Sequence, residues 1–133
     1  MSGANLELVE HLVDAFNQRN LAAMKPLLDP GIEWKPGGPA AVERDIYRGR
    51  EQVSNGFVGT WEAWDLFHLE QSEVRDLGDS IVWLGRSRMR GGASHVELNQ
   101  KFAVHFLVRD GKVVRMEGFL DWQNALEAAG LSD

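Results

Sequence analysis

The chain has 133 residues, no cysteine, and 14 Lys plus Arg against 20 Asp plus Glu, a formal net charge of −6. The length suits one domain over residues 1–133. The missing thiols exclude a disulfide framework, a cysteine nucleophile and a thiolate metal site, and the acidic balance argues against nucleic acid as partner. No apolar run is long enough to span a bilayer, and the opening residues lack the basic and apolar regions of a signal peptide, so a cytoplasmic protein with no membrane partner is expected.

Leu6, Val9, Leu12, Val13 and Phe16 recur at helical steps between Asn5 and Gln18 and predict an amphipathic first helix. Asn20 can cap a short second helix carrying Leu21, Met24, Leu27 and Leu28, which Pro26 bends or shortens. Asp29-Pro30-Gly31 reads as a turn, Ile32–Lys35 as a short strand, and Pro36–Pro39 as a loop. A third helix fits Arg50–Trp64, with Val53, Phe57, Trp61 and Trp64 on one face and Gly56 and Gly59 as weak points.

From Leu66 the period changes to two. Strands are predicted at Phe67–Arg75, Ser80–Arg90, His95–Arg109 and Lys112–Leu120, followed by a last helix, Trp122–Ala129, stopped at Gly130. Helices first and an antiparallel meander after them make an α+β fold.

Asp110-Gly111 between two alternating runs marks a two-residue hairpin loop. Counted outward without interruption, it pairs Phe106 with Arg115, Val104 with Glu117, Phe102 with Phe119 and Gln100 with Asp121. Those residues then share the face the helices cover, which places ionisable groups among Phe and Val. Arg115 with Glu117 could equally be an internal salt bridge, and Asp121 could simply cap the last helix. The preceding hairpin has two registers. A three-residue loop at Gly91–Ala93 brings Arg86 inward, within reach of Glu117 or Asp121; a four-residue loop turns Arg86 and Arg88 outward and Trp83 inward.

His68, His95 and His105 show no ligand spacing, so they are expected at the surface or an interface, with no metal and no cofactor. Trp34, Trp61 and Trp64 are candidates for the wall of an apolar pocket.

The chain resembles the SnoaL-like branch of the nuclear transport factor 2-like superfamily. The resemblance rests on Leu12-Val13-Asp14-Ala15-Phe16-Asn17, Leu27-Leu28-Asp29-Pro30 before Ile32-Glu33-Trp34, and Tyr47-Arg48-Gly49-Arg50-Glu51. It continues in Val108-Arg109-Asp110-Gly111-Lys112-Val113-Val114-Arg115, Gly118-Phe119-Leu120-Asp121 and Ala125-Leu126-Glu127-Ala128-Ala129-Gly130-Leu131. It implies a cone-shaped, cystatin-like fold, N-terminal helices on a curved antiparallel sheet, around a pocket for a small hydrophobic molecule. It also implies a homodimer formed through the outer sheet face.

Asp121 matches the aspartate that polyketide cyclases and epoxide hydrolases of this superfamily use as acid or base. Arg86 aligns with the arginine of the epoxide hydrolases, but Arg88 stands where their second aspartate would be. Lys35, before Pro36, occupies the place of the ketosteroid isomerase base, and the first helix has no tyrosine, Tyr47 being the only one. Two expectations follow. One is an isomerase, cyclase or hydrolase using Asp121, Glu117 and Arg86 on a ligand held by Trp34, Trp61, Trp64, Gln100, Phe102 and Phe119. The other is a non-catalytic ligand-binding or dimerisation module.

Overall fold

The structure is a computed structural model that describes residues 3–37, 44–91 and 96–131. Helix α1 runs Gly3–Asn17 and buries Val9, Leu12, Ala15 and Phe16, the stripe its sequence sets up. A single turn, α2 (Leu21–Met24), follows. Asn20 caps it by accepting a hydrogen bond from the Ala23 N–H at 3.1 Å. Pro26 then sits in a 3-10 turn over Lys25–Leu27, where its missing N–H leaves no helical bond broken.

Six strands form one sheet: β1 (Leu28–Lys35), β2 (Tyr47–Arg48), β3 (Leu66–Asp76), β4 (Ser80–Arg90), β5 (Glu97–Arg109) and β6 (Lys112–Phe119), in the order β2-β1-β6-β5-β4-β3. Helix α3 (Gly49–Ala63) lies between β2 and β3, and α4 (Trp122–Ala128) ends the described fold. The sheet is mixed, not purely antiparallel, because β1 runs parallel to β6. The expected Asp29-Pro30-Gly31 turn is an irregularity inside β1: between Leu28 and Glu33 the register against β6 slips. Pro30 has no N–H to give a ladder. The Gly31 N–H is taken by the Asp29 carboxylate at 2.8 Å.

The Asp110-Gly111 hairpin forms as expected, with φ of 54° and 74° at its two loop residues and Arg109 opposite Lys112. The uninterrupted count beyond it does not hold. Val108 faces Val113, but Leu107 then faces Arg115, so β6 carries one extra residue, Val114. From there the faces exchange. Met116 and Gly118 lie opposite Phe106 and Val104, whereas Arg115, Glu117 and Phe119 lie opposite Leu107, His105 and Ala103. A bulge of this kind lets Val113 and Met116, both under 5% exposed, reach the same core although two residues separate them.

The β4–β5 register is regular, with Trp83 opposite Val104 and Arg86 opposite Lys101. Trp83 therefore points into the core and Arg86 away from it, the outcome of the even-numbered loop. His95 and the expected Gly91–Ala93 turn fall at or beyond the limit of the described residues.

The main core lies between the inner sheet face, α1 and α3. Phe16 meets Phe57 at 5.7 Å and Phe67 at 5.6 Å, both edge to face, and Trp34 stacks on Tyr47 at 4.9 Å. Gly56 makes room for that stack, since a Cβ there would lie 2.7 Å from the Trp34 ring. A second, smaller core lies on the outer face, where α4 covers Val82, Leu84 and Ala103.

Two side chains tie the end of α1 to the rest. The Asn17 amide donates to the Leu69 carbonyl and accepts from the Leu69 N–H, both at 2.9 Å. Arg19 donates to the carbonyls of Trp61, Trp64 and Asp65 at the end of α3.

The chain leaving β1 crosses the end of β6 in backbone contact. A Cβ on Gly37 would lie 2.3 Å from the carbonyl carbon and oxygen of Gly118. Gly37→Ala should therefore destabilise the fold by about 1–3 kcal/mol, the usual range for overpacking. Urea unfolding of the variant checks this.

Candidate functional site

The inner sheet face, α1 and α3 do not close on each other completely. They leave a cavity of about 80 Å³, well above the ~10–15 Å³ that one water needs. Leu12, Val13 and Phe16 come from α1, Met24 from α2, and Phe57 and Thr60 from α3. From the sheet come Phe67 and Leu69 of β3, Phe102, Val104 and Phe106 of β5, and Met116 of β6. Trp34, Pro36 and Gly37 close the β1 side. Half-buried Val13, Trp34, Gly37, Leu69 and Phe102 mark the mouth.

Among the described lining residues none has an ionisable side chain. The only hydroxyl is that of Thr60, which donates to the Gly56 carbonyl one helical turn earlier at 3.0 Å. Aromatic rings and thioethers form most of the wall, a composition suited to apolar ligands.

The expected catalytic residues are not brought to this cavity. Asp121 is exposed and caps α4, its carboxylate accepting from the Gln123 N–H at 2.8 Å. Glu117 is on the outer face because of the extra residue in β6. There it lies 3.7 Å from Lys35 and 3.8 Å from Arg115. Arg86 also lies on the outer face. It donates to the Asn99 side-chain oxygen at 2.6 Å and to the Asn99 carbonyl at 3.3 Å.

Of the six expected ligand contacts, Trp34 and Phe102 line the cavity. Trp61 packs in the core against Phe16 at 5.5 Å, and Trp64 ends α3, its carbonyl accepting from Arg19. Gln100 pairs with Ser87 beyond the lining, and Phe119 sits in the second core beneath α4. The parity of β5, with Phe102, Val104 and Phe106 together, and the apolar stripe of α1 were the signals that pointed to the remaining wall.

The outer face carries its own polar cluster. His105 faces Glu117 across the ladder, and its Nε2 lies 2.6 Å from the Ser80 hydroxyl. Burial lowers the His105 pKa below the ordinary histidine value; Glu117 works in the opposite direction and Arg115 in the same one. Among the described residues no group of three or more His, Asp or Glu is arranged to hold a metal, and no helix is long and apolar enough to cross a membrane.

Residues 9–116 match the family model of the SnoaL-like domain. The chain belongs to the SnoaL-like family. The SnoaL-like fold is shared by a nuclear transport factor 2-like protein from Burkholderia pseudomallei, 21% identical, with 96% of this chain and 97% of that one covered and a TM-score of 0.79. A putative SnoaL-like polyketide cyclase from Jannaschia is 18% identical, with 96% and 92% covered and a TM-score of 0.78. TerC, crystallised with polyporic acid, is 18% identical, with 97% and 98% covered and a TM-score of 0.78. At these identities the likeness concerns the fold alone. No curated protein matches the sequence.

Two measurements test these placements. Asp121→Ala should lower stability by about 1 kcal/mol through loss of the cap, while Asp121→Asn, which can still accept, should lose little. Since the folded state holds His105 with a lowered pKa, the unfolded chain takes up that proton more readily. The favourable contribution is complete above the ordinary histidine pKa and declines as pH falls through and below it. Urea midpoints measured across this range should fall toward acid, and His105→Gln should flatten the slope.

Proposed function

We propose that this SnoaL-like protein is a binding module for a small apolar molecule held in the cavity between α1, α3 and the inner sheet face. The observation that carries this reading is the composition of the wall: aromatic and aliphatic side chains, two thioethers and one hydroxyl, with no described carboxylate, imidazole or ammonium among them. Acid–base catalysis of the cyclase or isomerase kind needs a proton carrier within hydrogen-bond reach of the reacting atom. Asp121, Glu117 and Arg86 are engaged elsewhere. The crystallisation of the similarly folded TerC with polyporic acid gives the reading support from outside the chain.

We also propose the homodimer expected through the outer face. Helix α4 occupies part of that face, over Val82, Leu84, Ala103 and Phe119, so a second copy would meet the outer face beside it.

Thermal unfolding with neutral apolar compounds tests the binding reading. A ligand at a hundredfold excess over its Kd stabilises by ~2.7 kcal/mol, which for a domain of this size raises Tm by roughly 5–10 °C. Leu69→Glu, which puts a carboxylate at the mouth, should abolish the shift. No saturable stabilisation by any neutral apolar compound would overturn the proposal.

A further inference from the structure

The elements that form the cavity wall carry many charges, and none of the described ones lines it. On α1, His11 and Asp14 are exposed. On α3, Arg50 reaches the Leu28 carbonyl, Glu51 lies 3.8 Å from Lys25, and Glu62 is exposed. On β3, His68 and Glu70 pair with Arg88 and Arg86 on the outer face. Lys101 and His105 of β5, Arg115 and Glu117 of β6, and Glu33 and Lys35 of β1 share that outer side.

The polar groups that the described lining side chains carry are both neutral. One is the Trp34 indole N–H. The other is the Thr60 hydroxyl, whose proton goes to the Gly56 carbonyl and whose oxygen can still accept.

Resting on the binding reading above, we propose that the cavity selects uncharged aromatic compounds and rejects their ionised forms, so that affinity for an ionisable ligand is set by the ligand's own protonation. An anion leaving water for this wall would lose its hydration and find no opposite charge. A neutral ring loses little hydration, and it gains edge-to-face and sulfur contacts with Phe16, Phe57, Phe102, Phe106, Met24 and Met116. A phenolic hydroxyl has one further partner, since it can donate to the Thr60 oxygen.

The test uses 4-nitrophenol, whose two protonation states differ in colour, with toluene as the unionisable reference. Binding to the protein should raise the apparent pKa of 4-nitrophenol by at least about one unit, a tenfold preference for the neutral form. Equal affinity for phenol and phenolate, with toluene still binding, overturns the charge selection and leaves the binding reading intact. Binding of neither compound removes the binding reading and this inference with it. In Thr60→Val the affinity of neutral 4-nitrophenol relative to toluene should fall about 3- to 10-fold, the scale of one hydrogen bond. An unchanged ratio overturns the assignment of Thr60 as the hydroxyl's partner.

Discussion

Val113 and Met116 must both bury against the helices, yet the two residues between them do not fit a strand's period of two. The chain accommodates this with the extra residue at Val114, and the rest of the molecule depends on that adjustment. It turns Met116 into the cavity wall and sets Gly118 beneath Gly37, so that the chain leaving β1 can cross β6 in backbone contact. It sends Arg115 and Glu117 to the outer face, where Lys35 from the neighbouring parallel strand completes a charged cluster. The slip within β1 falls on the same stretch of β6, between its pairings with Val113 and Arg115, so two neighbouring strands absorb their irregularity together. Without it, an ion pair would have to be desolvated inside an aromatic core, at a cost its own attraction rarely repays.

The two sheet faces thus separate by chemistry. The inner face, under α1 and α3, is aromatic and, among the described residues, uncharged at its cavity. The outer face carries the cations and carboxylates and is closed over its apolar centre by α4, with Trp122 donating to the Gly85 carbonyl at 2.9 Å and Lys101 set 5.0 Å over the Trp122 ring. Asp121 belongs to this second arrangement. Its carboxylate begins the helix that covers the outer face, which is why the last strand ends in an aspartate that does not reach the cavity.

Much of this was legible in the sequence. The helical stripe of α1, the Asp-Gly hairpin and the alternation of β4 and β5 each have a local residue pattern, and they fix the fold class. The contents of the cavity were less legible because a bulge has no residue signature of its own. Its trace was a conflict: Phe102, Val104 and Phe106 asked for an apolar partner face, while uninterrupted counting supplied Arg115 and Glu117. In β6, Val113 and Val114 precede Met116 and Gly118, with Arg115 and Glu117 alternating between them. Only one inserted residue lets both strands keep their apolar sides inward. The sequence offered the cap of the last helix as one of two places for Asp121; what decided between them was α4 folding back over the outer face, a tertiary contact.

The amide pair between Asn17 and Leu69 gives α1 a role beyond its own packing. β3 is an edge strand of the sheet, and Asn17 stands in for a missing neighbour at Leu69, one side chain satisfying both backbone groups that an adjoining strand would. Leu12, Val13 and Phe16 on the same helix close the cavity. Undocking of α1 would therefore open the cavity and free the edge of β3 in a single event. The partly unfolded species formed in this way would present a sticky apolar surface beside an unpaired strand, so aggregation on heating should set in where the first helix lets go.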